Sequence, residues 1–156
     1  MKVAIGTDHG GICLKSAIID YLKSKGIEFC DFGTFSTDSV DYPDIAYPVA
    51  KAVAEGKFDK GILLCGTGIG MSITANKVKG IRAAVLSDEF SAQATAEHNN
   101  TNVLALGGRI VSPEKAVKLV DIWLSTPFAG GRHQQRIDKI KAIEENDKNT
   151  VFDKIK

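Results

Sequence analysis

Cysteine is scarce in this sequence, and its few copies form no recognisable set. Cys13, Cys30 and Cys65 are odd in number and far apart, with no C-x-x-C pair. That argues against a disulfide framework or a zinc site and for a reducing compartment, so a cytoplasmic protein is expected. Long apolar runs are missing as well. Nothing approaches the ~20 residues that span a bilayer. The opening Met1-Lys-Val-Ala-Ile-Gly-Thr-Asp reaches an acid too soon for a signal peptide. An excess of either charge is also absent: 20 Lys+Arg against 19 Asp+Glu leave a formal net charge of +1. This gives no reason to expect nucleic acid or an anionic membrane as partner. No internal repeat, low-complexity segment or linker divides the 156 residues. Hydrophobic content of 44% and charged content of 25% fit a single domain over residues 1–156 that can bury a full core.

What is present is a regular alternation of short apolar runs and amphipathic stretches. Strands are expected at residues 2–6, 27–32, 61–64, 82–86 and 103–106. The first begins almost at Met1, so no N-terminal extension is expected before the fold. Helices are expected at 12–25, from Tyr42 to about Glu55, from Met71 onward, at 89–97, at 113–125 and at about 131–146, with a polar tail over 147–156. Gly26 and Gly56 stop the first two helices, Ser87-Asp88 caps the fourth and Pro113 opens the fifth at its first position. Five strand–helix alternations imply an α/β fold with three αβα layers. The sheet is five-stranded, parallel and doubly wound, Rossmann-like in architecture, and the last helix extends beyond it. Ligands in such folds sit past the carboxyl ends of the strands.

The third strand ends at Cys65 and runs into Gly66-Thr67-Gly68-Ile69-Gly70. A strand, a glycine loop and a helix start make an anion cradle of outward-facing N–H groups. A thiol at its lip is in a setting that favours the thiolate, a base and a nucleophile, and Thr67 adds a hydroxyl. The alternative is a small buried hydrophobe beside a tight turn. The spacing G-x-G-x-G differs from the dinucleotide fingerprint, and Asp88, at the distance of a ribose-binding acid, is more simply a helix cap.

Other candidates lie in turns. Asp8 and His9 follow the first strand and suit a sugar hydroxyl and a phosphate, although Asp8 could merely cap the next helix. Arg109 sits in the glycine-flanked exit of the fifth strand. Arg132 and Arg136 share a helix face and suit a phosphate or a solvated basic edge. His133 lies one helix step from that pair and is not counted with it, and Ile137, Ile140 and Ile143 mark a separate apolar stripe. His98, expected just past a helix, reads as an acid–base group or as a dipole-favoured terminal histidine. The 33–41 loop is long for a βα connection and so is expected to contribute to a site. Cys13, Cys30, Trp123 and the phenylalanines read as packing residues.

Six stretches occur in a familiar order: Gly6-Thr-Asp8-His9-Gly-Gly, Asp41-Tyr42-Pro43-Asp44, Cys65-Gly-Thr-Gly-Ile-Gly-Met-Ser, His98-Asn99-Asn100, Leu106-Gly-Gly-Arg109 and Arg132-His-Gln-Gln-Arg136. Together they resemble the ribose-5-phosphate isomerase B family, which includes galactose-6-phosphate and allose-6-phosphate isomerases, over essentially the whole chain. The resemblance implies an aldose–ketose isomerase of the pentose phosphate pathway that uses neither metal nor cofactor and acts on ribose 5-phosphate and ribulose 5-phosphate. A hexose 6-phosphate and a non-catalytic sugar-phosphate or nucleotide sensor are the alternatives. By the same resemblance Cys65 moves the proton, and Gly66, Thr67, Gly68, Ile69 and Gly70 hold the enediolate. His98 opens the sugar ring, Asp8, Asn99 and Tyr42 meet the sugar, and His9, Arg109, Arg132 and Arg136 grip the phosphate. Members that lack the cysteine use a carboxylate from the same loop. Ile69 offers none, so this chain resembles the cysteine branch. The family's homodimers, in some members paired into tetramers, share each site between two chains.

Overall fold

The computed structural model describes residues 1–145. In chain order the elements are β1 (Lys2–Thr7), α1 (Ile12–Ser24), β2 (Glu28–Asp31), α2 (Tyr42–Ala54), β3 (Lys60–Cys65), α3 (Ile69–Ala75), β4 (Ala83–Val85), α4 (Glu89–Asn99), β5 (Val103–Gly107), α5 (Pro113–Ser125) and α6 (Arg132–Glu144). All strand pairings are parallel, in the order β2-β1-β3-β5-β4. The expected tail over 147–156 lies outside the described residues. No described helix is long and apolar enough to cross a membrane.

Burial follows strand position. The three central strands are almost wholly buried, whereas the edge strands β2 and β4 are half exposed. Because side chains alternate across a sheet, each strand feeds two cores. Val3, Ile5, Ile62, Leu64, Leu104 and Leu106 face α1, α4 and α5 around the fully buried Trp123. Ala4, Leu63 and Ala105 face α2 and α3. Helices thus cover both faces, as the alternation implied.

The strand order positions the cleft. From β1 the chain moves outward to β2, then returns past β1 to lay down β3. The helices that follow β1 and β3 therefore leave toward opposite faces, and a crevice opens between the carboxyl ends of the two strands. The exit of β5 completes it: Gly108 N–H donates to Cys65 O at 2.8 Å and Arg109 N–H to Gly66 O at 3.0 Å.

Several boundaries differ from the sequence reading. Helix α3 begins at Ile69, because Gly68 already supplies the turn. His98 and Asn99 belong to the last turn of α4, which ends at Asn100 in the left-handed region (φ 46°). Asn tolerates that conformation, and Arg82 secures it by donating to Asn99 O and Asn100 O at 2.8–3.2 Å. Cys13 and Cys30 are exposed, not packed: one is at the open start of α1, the other on an edge strand. Phe35 and Phe90 are exposed too, on loop and helix surfaces that the sheet does not reach.

Candidate active site

Cys65 ends β3 and is 6% exposed. Its Sγ accepts the Gly68 N–H at 3.2 Å. Gly68 has φ +81°, which favours glycine, and a Cβ there would also press on Leu106 and Ala105 backbone at 3.2–3.3 Å. That turn folds the loop back over its own cysteine. Among the described residues the N–H groups of Gly66, Thr67 and Gly70 have no protein acceptor, and the Ile69 N–H reaches Thr67 Oγ1 at 3.4 Å. A buried thiol thus sits under free amides at the start of α3, the arrangement the spacing suggested.

The loop after β1 forms the opposite wall. Asp8, 5% exposed, accepts from Gly10 N–H at 2.8 Å and Gly11 N–H at 3.2 Å through Oδ1. It braces the turn before α1 and does not cap the helix, whose N-cap is Gly11 without a side-chain bond, and this leaves Oδ2 for a ligand. His9 Nδ1 accepts the Val40 N–H at 3.3 Å, which puts the ring proton on Nε2 and ties the 33–41 loop to the site. Tyr42, at the start of α2, lies across Gly70 so closely that a Cβ there would come within 2.8 Å of its ring. Arg109 crosses Gly66 at a similar remove, its Nε 3.5 Å from where a Cβ would stand. Asp8, His9, Tyr42, Cys65, Gly66, Thr67, Gly70 and Arg109 line one cleft of about 230 Å³. No three His, Cys, Asp or Glu side chains form a metal-ligand set among the described residues.

The remaining candidates are elsewhere. Helix α4 runs back from the carboxyl end of the sheet, so its last turn, with His98 and Asn99, lies near the start of β5. The 126–131 segment joins it there, Ala129 N–H donating to Glu97 O at 3.0 Å, and delivers Arg132 and Arg136 on α6. Since Gly61 pairs with Val103 and Cys65 with Gly107, the full length of β5 separates the two groups, about 13 Å at roughly 3.3 Å per residue. Within one chain His98, Asn99, Arg132 and Arg136 do not reach Cys65. Arg109, Arg132 and Arg136 make no salt bridge among the described residues.

His133 was set aside at the level of sequence, yet it is a central member of the second group. It is 8% exposed and stacks on His98, with centroids 4.3 Å apart and planes 8° from parallel. Its buried Nδ1 has no partner among the described residues. Burial, then the neighbouring His98, Arg132 and Arg136, push its imidazole below the ordinary histidine range, opposed by Glu97. Nothing in the spacing marked it, because a contact between α4 and α6 is invisible along the chain.

The geometry gathers a thiol, free amides and the Arg109 guanidinium around a small polar cleft, and known proteins share this framework. The ribose-5-phosphate isomerase B of Escherichia coli (strain K12) is 53% identical over 144 residues, covering 92% of this chain and 97% of that protein. The solved ribose-5-phosphate isomerase B of Clostridium thermocellum gives a TM-score of 0.92 at 53% identity, covering 94% of this chain and 99% of that one. The crystal structure of ribose-5-phosphate isomerase B from Mycoplasma genitalium with bound ribulose-5-phosphate gives 0.89 at 44% identity, covering 92% and 96%. With residues 3–140 matching the family described as Ribose/Galactose Isomerase, and with relatives this similar along nearly their whole length, this chain belongs to that family.

Proposed function

We propose that this chain interconverts D-ribose 5-phosphate and D-ribulose 5-phosphate through an enediolate, with Cys65 as the base. The observation that carries the reading is the Cys65 sulfur under the free amides of Gly66, Thr67 and Gly70, in a cleft that also holds Arg109. The substrate follows from the relatives, one of which holds ribulose-5-phosphate.

The steps use residues of that cleft. The Cys65 thiolate takes the C2 proton of the open aldose. The C–H electron pair becomes the C1–C2 double bond, and the C1 oxygen takes the negative charge. Amides of residues 66–70 meet that oxygen, where one well-placed donor is worth about 2.7–4 kcal/mol in a comparable case. A proton passes from O2 to O1, and the Cys65 thiol then protonates C1 as C2 becomes the carbonyl. Base catalysis of this kind contributes roughly 10²–10⁴-fold. The chemistry calls for neither metal nor cofactor, since amides hold the developing charge. It requires a reduced thiol, which suits the cytoplasm.

The site is completed by a second copy of the chain. A phosphorylated sugar at Cys65 meets His9 and Arg109 from its own chain, and His98, Asn99, Arg132 and Arg136 come from the partner. Two features support this: the separation of the two groups along β5 and the uncovered apolar stripe of α6. In that stripe Ile137 is 8% exposed, but Ile140 is 44% and Ile143 59% exposed.

An isomerase assay on ribose 5-phosphate, allose 6-phosphate and galactose 6-phosphate, with and without chelator, tests the proposal. Ribose 5-phosphate should turn over fastest, unaffected by chelation. Preferential hexose turnover would reassign the substrate, and tight binding of nucleotide or sugar phosphate without turnover would make the chain a sensor.

A further inference from the structure

Two histidines meet at the end of α4, and the family resemblance gives only His98 a role, the opening of the sugar ring. His133, from the first turn of α6, lies flat against His98 at 4.3 Å and is itself almost fully buried. A flat contact fixes the plane of the exposed ring, because any rotation of His98 would break the stack or drive it into α6. The next support is also in place: Arg82, from the start of β4, holds the Asn99 and Asn100 carbonyls and so anchors the turn that carries His98.

We infer that His133 is a positioning residue: stacked on His98, it fixes that imidazole for ring opening. The inference rests on the proposed role of His98. Two imidazolium rings in face-to-face contact repel strongly. The groups around the pair decide which ring stays neutral. Arg132 and Arg136 flank His133 on its own helix, and Glu97 lies 4.0 Å from His98 Nε2. Burial, His98 and the two arginines disfavour a charge on His133, and Glu97 opposes them only in part. His133, whose Nδ1 has no partner among the described residues, is therefore a neutral platform for the His98 ring.

The chain has three histidines, so NMR titration of the intact protein, with signals assigned by substitution, resolves each ring. Signals from His133 should stay in the neutral form to lower pH than those of an ordinary histidine. Titration of His133 at an ordinary value would overturn the inference, whatever the variants do. Kinetics on ribose 5-phosphate supply the second arm. His133→Ala should lower kcat about tenfold with little change in KM, and His133→Phe, which restores a flat ring without a titrating nitrogen, should recover most of it. A rise in KM at constant kcat would make His133 a phosphate ligand instead and defeat the idea. His98→Asn is the control for the underlying reading. If His98→Asn keeps full turnover, the ring-opening role itself fails; if it is impaired and His133→Ala is not, only the positioning role fails.

Discussion

The Gly68 N–H points at the Cys65 sulfur from 3.2 Å. The turn that glycine permits thus folds the loop back over the sulfur that the proposed mechanism uses. Cys65→Ala removes the sulfur and little else, since the neighbouring amides belong to the backbone. Turnover should fall by about 10²–10⁴-fold or more, with sugar-phosphate binding by calorimetry retained. Turnover near the parent level would rule out the thiolate.

Asp8 separates two roles that the sequence left entangled. Its Oδ1 accepts from the Gly10 and Gly11 N–H groups. Asp8→Ala leaves the Gly10 and Gly11 N–H groups without their acceptor and should cost about 1–3 kcal/mol in denaturant unfolding, and impair turnover. Asp8→Asn keeps an acceptor oxygen and should retain stability, yet lose activity through the altered second atom. An Asn variant with full activity would reduce Asp8 to a brace for the turn.

The proposed sharing of the site between two chains makes an unusual prediction for mixtures. Cys65→Ala and His98→Asn should each be nearly inactive alone. Mixed under conditions that exchange subunits, they should recover activity, because each mixed dimer holds one site with both residues intact. Random pairing of equal amounts gives about a quarter of the parent sites. A mixture no more active than its components would mean that both residues serve one chain's site.

Acid stability should carry the signature of His133. Its imidazole is held below the ordinary 6.5, by burial first and then by the charges of His98, Arg132 and Arg136. The unfolded chain then binds a proton in a window where the folded one does not, so stability rises with pH there. The contribution is complete above about pH 6.5 and is lost as pH falls through the depressed value. Urea midpoints measured from pH 7.5 to 5 should decline for the parent protein and decline less for His133→Phe. Parallel curves would remove His133 as the cause.

Much of this was readable from local pattern. Gly26 and Gly56 stop helices, Asp88 and Ser112 cap them at 2.8 and 3.2 Å, and Cys65 with its glycines marks a strand running into a helix. These features depend on residues within a few positions of one another. The misreadings have the same origin. Cys13 and Cys30 read as packing residues because small apolar side chains in regular elements usually are, but Cys13 lies at the open start of α1 and Cys30 on the edge strand β2.

Sequence alone determined the element types, the two-faced parallel sheet and the chemical character of the cradle, because periodicity, glycine and capping act within a turn or two of chain. Only the tertiary structure decided that β5 would insert beside β3, that His98, Asn99, Arg132 and Arg136 would collect at the far end from Cys65, and that His133 would lie against His98. Those outcomes come from how distant segments pack around two cores. No spacing along the chain encodes which end of a sheet a returning helix will reach.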